Sequence, residues 1–272
     1  MLQTKERIDC RVDPKYSQIV DNNLPDWEKD DAPFGDEELM LASPVAFYFL
    51  RHGHPTEYGK TESPLDELGI RQAIETGYKY GTTLDSRNQA GVNVNIYCSD
   101  RLRTRQSAIF FQLSLNYYLK EKGLNNVRIS TIRVTPALNP PTGALNPLIA
   151  NNTPEEEVLY RALRPDIEAG MKLSLHPEII QNLELLRRIL QLLSGIKKSE
   201  YNDQICWTHE TSNGMLVDRF APDEIDKTAH TPEKFRIHHT EPAIIYLGRD
   251  DSAIFSFREK LVNISPYIRP RL

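Results

Sequence analysis

Two histidines and a group of arginines, each placed directly after an apolar run, are the residues of this chain whose types and spacing could do chemistry. Arg51 and His52 follow Val45-Ala46-Phe47-Tyr48-Phe49-Leu50. Ser99 and the turn Arg101-Leu102-Arg103-Thr104-Arg105 follow Val94-Asn95-Ile96-Tyr97-Cys98, and His209-Glu210 follow Gln204-Ile205-Cys206-Trp207-Thr208. Two guanidiniums and two imidazoles in one cleft would suit a phosphoryl group. Each guanidinium offers a planar fork to two oxygens, and such charge-assisted bonds strengthen where water is excluded. Helix N-termini near Ser99 and after His209 would add backbone N–H donors. Gly53, lacking a Cβ, would let backbone approach the ligand.

Positioning these residues requires strands that end at a common rim. The apolar runs 45–50, 92–98 and 204–208 read as strands, with Val127–Val134 a further one by its period of two. Between them lie amphipathic stretches. Ser63-Pro64-Leu65-Asp66 has the look of an N-cap followed by an N1 proline, opening a helix with Ile70, Ile74 and Tyr78 on its apolar face. Leu102, Gln106, Ile109, Leu113 and Tyr117 form one stripe of the next helix, which Gly123 closes. Another helix follows Pro177, with Ile179, Leu183, Leu186, Leu190 and Leu193 inward, and Gly214–Val217 is helix-like. Ala243–Phe257 predicts two strands joined at Gly-Arg-Asp-Asp, an antiparallel hairpin at one edge.

Strands alternating with helices imply βαβ crossovers, so the expected class is α/β: a three-layer α/β/α sandwich whose sheet is mostly parallel, with an antiparallel edge. In such a sheet the carboxyl ends of the strands border the ligand crevice. Residues 1–43 form an acidic arm without sustained period, 44–272 one domain, and about 139–165 a Pro- and Asn-rich insertion.

Composition narrows the partners. The chain has 272 residues, 39% of them hydrophobic, enough for a sizeable core. Lys and Arg number 33 against 38 Asp and Glu, a formal charge of -5, which gives no general attraction for nucleic acid or an anionic membrane. No apolar run approaches the roughly 18 residues that span a bilayer. Cys10, Cys98 and Cys206 are odd in number and widely spaced, against a disulfide framework and in favour of a reduced, cytoplasmic setting. His230, His238 and His239 lack metal-ligand spacing. The expected partner is a phosphorylated substrate, and a homodimer is compatible with the sequence.

Four segments carry a family resemblance. Arg51-His52-Gly53 after its strand, Pro64-Leu65-Asp66-Glu67-Leu68-Gly69-Ile70-Arg71-Gln72-Ala73, Cys98-Ser99-Asp100-Arg101-Leu102-Arg103-Thr104-Arg105-Gln106-Ser107-Ala108 and Trp207-Thr208-His209 resemble, in order, motifs of the histidine phosphatase superfamily, the phosphoglycerate-mutase-like proteins. The match spans roughly residues 45–220. The resemblance implies that His52 is a nucleophile forming a phosphohistidine, that Arg51, Arg103 and His209 clamp the phosphoryl oxygens, and that no metal or other cofactor is needed. Ser99 is first a helix cap, with any phosphate contact secondary. Arg101 and Arg105 flank Arg103 as alternative clamps.

The chain also departs from that pattern. The Leu-x-Glu acid of many mutase-like members is replaced by Leu138-Asn139-Pro140, and Glu210 stands where the acid-phosphatase branch places an aspartate after its second histidine. Glu210 is accordingly the expected leaving-group acid. His54-Pro55-Thr56 lacks that branch's further arginine, and Tyr58 replaces an asparagine frequent in mutases. Hydrolysis of a phosphomonoester, from a small molecule or a phosphoprotein, is thus favoured over a phosphoryl mutase. A phosphate-binding module with little turnover is the third alternative.

Overall fold

The computed structural model describes residues 34–57, 60, 62–85, 87, 91–135, 138–139, 201–209, 213–214, 216–217, 220, 237–250, 252–258 and 260–265. The remainder of the N-terminal arm, the insertion, the helix expected after Pro177, and Glu210 lie outside these residues.

The described elements run α1 (Glu37–Ala42), β1 (Val45–Arg51), α2 (Glu67–Leu84), β2 (Val92–Cys98), α3 (Leu102–Lys122), β3 (Val127–Ile129), β4 (Arg133–Val134), β5 (Tyr201–Thr208), β6 (Pro242–Leu247), β7 (Ala253–Phe257) and β8 (Lys260–Asn263). They form one sheet in the order β3-β2-β5-β1-β6-β7-β8, with β4 also against β2. β3, β4, β2, β5 and β1 pair in parallel, while β6, β7 and β8 continue antiparallel. This is the expected α/β class with its antiparallel edge, extended by β8, a strand the sequence had not signalled.

Every residue of β1 is buried, as its uninterrupted apolar run requires of a strand covered on both faces. Its even positions, with Ile205, Trp207 and Tyr246, pack into a core beneath α1, α2 and α3. Its odd positions join Cys206, Leu138, Leu216, Val217, Phe255 and Phe257 on the other face. Phe34 and Met40, from the end of the presumed arm, are part of the first core. Cys98 and Cys206 are buried free thiols. No described helix is long and apolar enough to cross a membrane.

Four local expectations are corrected. The N-cap of α2 is Asp66, whose carboxylate accepts Gly69 N–H, so the cap lies three residues after the Ser63 expected in that place. The face of α2 that turns inward carries Gly69, Ala73, Gly77, Tyr80, Gly81 and Leu84, leaving Ile70, Ile74 and Tyr78 half-buried. α2 and α3 approach too closely for larger groups: a Cβ on Gly77 would meet the Phe111 carbonyl, and one on Gly81 the Tyr118 ring. α3 likewise buries Thr104, Ser107, Ala108, Phe111, Leu115, Tyr118 and Leu119, not the expected stripe. Lastly, the strand expected over 127–134 is split into β3 and β4, with Ser130 between them accepting Ile96 N–H through its hydroxyl.

A second buried feature lies at the opposite end of the strands from the rim. Asp203, paired in register with Ala46 and Val94, has no exposed surface. Arg87 grips its carboxylate in a fork of 2.7 and 3.0 Å, and the Tyr80 hydroxyl adds a third bond at 2.5 Å. The Arg87 guanidinium also lies 4.4 Å from the centre of the Tyr201 ring.

Candidate active site

The carboxyl ends of β2, β5 and β1 are adjacent and in register, Cys98 opposite Trp207 and Thr208 opposite Arg51. The ladder continues one residue beyond the strands through Ser99 N–H to the Trp207 carbonyl and His52 N–H to the Thr208 carbonyl. Residues about a hundred positions apart are thereby delivered to one place. Arg51, His52, Ser99 and His209 are all buried there, and Arg103 reaches in from the first turn of α3.

Arg103 is the hub. Its Nε–H donates to His52 Nε2 at 2.9 Å, Nη2 faces His209 Nδ1 at 3.4 Å, and Nη1 donates to the Lys60 carbonyl at 3.0 Å. Since a guanidinium only donates, these contacts fix both tautomers. His52 carries its proton on Nδ1 and gives it to the Gly53 carbonyl at 2.7 Å, leaving the Nε2 lone pair toward Arg103. His209 carries its proton on Nε2 and gives it to Ser99 Oγ at 2.9 Å, and Ser99 Oγ is 2.7 Å from Thr104 Oγ1. Ser99 therefore orients His209; the N-cap of α3 is Arg101, without a side-chain cap bond. Arg101 is drawn instead toward Glu62 and Asp100, and Arg105 is exposed, so Arg103 is the arginine of this turn that joins the site.

Burial, then the neighbouring His209 and Arg103, holds the His52 pKa well below its ordinary value. Burial followed by Arg103 and Arg101 does the same for His209. Burial and the nearby arginines 101 and 51 lower Arg103 to about 10, leaving it a cation near neutrality. The result is an uncharged imidazole whose Nε2 lone pair faces fixed positive charge.

The motif residues around this centre hold its loop. Gly53 N–H donates to Ser107 Oγ at 3.0 Å, His54 N–H to Gln72 Oε1 at 2.9 Å, and Leu65 N–H to Gln106 Oε1 at 2.8 Å. His54, half-exposed, donates through Nδ1 to Asp66 Oδ2 at 2.7 Å. Gly53 is explained differently from its sequence reading. A Cβ there would strike the carbonyl of Gly69, and one on Gly69 would strike the carbonyl of His54, so the missing side chain admits α2 and not a ligand. Gly53→Ala is expected to lower stability by about 1–3 kcal/mol, an overpacking cost against backbone that cannot rotate away, measured as a shift in the urea midpoint.

Residues 237–241 were not recognisable as part of the site. The Ile237 carbonyl accepts Arg51 Nη1 at 2.6 Å, His239 Nδ1 donates to the His52 carbonyl at 2.8 Å, and Thr240 N–H donates to the Arg51 carbonyl at 2.9 Å. Thr240 pays for this with a φ of 62°, a left-handed conformation unfavourable for a β-branched residue. Glu241 fastens the turn, accepting His238 N–H and the Arg258 guanidinium. His239 reads in the sequence only as a discarded metal ligand; no spacing or motif marks a distant turn that grips Arg51 and His52 by their backbone.

Buried neutral imidazoles link stability to pH. His52, His209 and His239 all have lowered folded-state pKa values, so below the ordinary value of about 6.5 the unfolded chain binds more protons than the folded one. Stability is therefore complete above about pH 6.5 and falls as pH drops below it, by up to about 1.4 kcal/mol per pH unit for each histidine. Urea midpoints between pH 7 and pH 5 should show this slope, and His209→Asn should flatten it.

No family model matches the chain, and no curated protein matches it. Among solved structures it is similar to several phosphatases. A mycobacterial hydrolase shares 12% identity with a TM-score of 0.48, covering 79% of this chain and 98% of that one. A mycobacterial glucosyl-3-phosphoglycerate phosphatase complexed with VO3 shares 14% at 0.47, covering 79% and 98%. The protein histidine phosphatase SixA complexed with tungstate shares 13% at 0.40, covering 80% and 96%. At such values these are resemblances, and the chemistry has to be judged on the residues themselves.

Proposed function

We propose that this chain is a phosphatase that hydrolyses a phosphomonoester through a phosphohistidine on His52. The observation that carries the proposal is the state of His52: neutral, with Nδ1 tied to the Gly53 carbonyl and its Nε2 lone pair meeting Arg103 between Arg51 and His209. An entering phosphoryl group takes over the Arg103 donors, and the freed lone pair faces phosphorus. The N–P bond forms as the ester P–O bond breaks, the electron pair leaving on the alkoxide oxygen, which takes a proton from Glu210 in this proposal. Water then attacks phosphorus, gives its proton back to that carboxylate, and the N–P electron pair returns to Nε2. Arg51 and Arg103 oppose the charge on the transferring oxygens, and His209 joins them once the entering anion draws a proton onto its Nδ1; positioning and electrostatics supply most of the acceleration. Ser99 keeps His209 in place.

The test uses an aryl phosphate with radiolabelled phosphorus, quenched in alkali, where a phosphohistidine survives. Label on the peptide containing His52, together with release of inorganic phosphate, is the expected result. Steady release with no protein-bound label at any time would exclude the covalent route, and label without release would favour the binding module.

A further inference from the structure

We propose that the outer face of α3 is a dimerisation surface whose partner is a second copy of this chain, packed antiparallel about a two-fold axis at Leu113. Six large hydrophobic residues are exposed among those described, and three share one row of α3: Ile109 at 46%, Leu113 at 59% and Tyr117 at 62%. The other three, Leu41, Val134 and Leu261, lie on α1, β4 and β8. A spacing of four puts successive residues on neighbouring turns of the same helix face, so the three form a continuous apolar strip while the opposite face is spent on α2 and the sheet. The strip is what a sequence pattern registers as a core-facing stripe, yet the core takes different residues.

Charge selects the occupant and its direction. The same row continues to Arg105 at one end and Glu121 at the other, both exposed. Leu113 is the midpoint of Ile109 and Tyr117, and also of Arg105 and Glu121. A two-fold axis through Leu113 therefore sets Leu113 on its own copy, each Ile109 on the other copy's Tyr117, and each Arg105 beside the other copy's Glu121. A parallel pair would set arginine on arginine and glutamate on glutamate. The strip is thus self-complementary in one orientation only, as an isologous interface demands. α3 is 21 residues long, about 31 Å. One helix pair of that length is at the small end of specific interfaces, so the expected Kd is on the order of micromolar or weaker.

Sedimentation velocity of the full chain over a concentration series tests the proposal. The wild type should pass from monomer to dimer as concentration rises. Leu113→Glu, a change at an exposed position, should raise Kd by about 100-fold or more by facing two carboxylates across the axis. Its circular dichroism and thermal midpoint serve as the folding control. Arg105→Glu and Glu121→Arg should each weaken the dimer several-fold, about threefold to tenfold, and the double exchange should restore it. A wild type that stays monomeric overturns the proposal, whether another part of the chain covers the strip or nothing does. A dimer that survives Leu113→Glu overturns it too, by placing the interface elsewhere.

Discussion

His52→Ala is expected to lower kcat on an aryl phosphate by about 10^4-fold or more, with the protein still folded and still able to bind vanadate. The size follows from the kind of loss. Removing a clamp residue would leave the proposed nucleophile and weaken one set of charge-assisted bonds, whereas removing the imidazole would remove the nitrogen proposed to bond phosphorus, the one whose lone pair meets Arg103 Nε–H. Arg103 and Arg51 would still offer a cationic socket, so affinity for a tetrahedral or trigonal-bipyramidal anion should persist. His52→Asn sharpens the test, because its amide can still bond nearby carbonyls but offers no nucleophilic lone pair. Equal hydrolysis by wild type and both variants, in protein free of contaminating phosphatase, would falsify the assignment of His52.

The other large expected effect is on stability. Arg87→Leu should destabilise the fold by about 3–5 kcal/mol, read as a lowered urea midpoint with unchanged slope. Asp203 is completely buried, and the variant would leave its carboxylate with the Tyr80 hydroxyl but no counter-charge among the described residues. The cost is that of an uncompensated buried anion, which exceeds the net worth of the intact pair. Adding Asp203→Asn to Arg87→Leu should therefore recover part of the loss, since a neutral amide is far cheaper to bury. Should the double variant prove less stable than Arg87→Leu by a further similar amount, the penalty comes from lost packing and not from charge. Hydrolysis should change little while the protein remains folded, because the pair lies at the other end of the strands.

The rim was legible because its strands are almost wholly apolar and end abruptly in polar residues. β1 needs no partner to be recognised, and once β1, β2 and β5 are read as parallel, the meeting of Arg51, His52, Ser99 and His209 follows from strand direction. Which arginine of the turn enters was not legible, since the choice among Arg101, Arg103 and Arg105 depends on where the first turn of α3 begins. The two helix faces were misread for a common cause: α2 buries Gly77 and Gly81 against Phe111 and Tyr118, and α3 buries Thr104, Ser107 and Ala108, small residues that a search for large hydrophobic side chains passes over. The turn at His239 was invisible for another reason. Two of its three bonds use a backbone carbonyl and a backbone amide, which are the same whatever the side chain, and the third uses a lone histidine that no motif marks.

That turn has a consequence for the order of events in the cell. The acceptor for the Arg51 guanidinium and the donor to the His52 carbonyl both come from residues synthesised long after His52 itself. β5 lies between β1 and β2 in the sheet, so a nascent chain that has made only those first two strands cannot yet set Arg51 and His52 beside Ser99. The supports of the site are completed late in translation, when the strand after Thr240 slots beside β1 and also brings Ile244 and Tyr246 to the first core, so a product terminated before residue 237 would lack both the grip on Arg51 and part of that core.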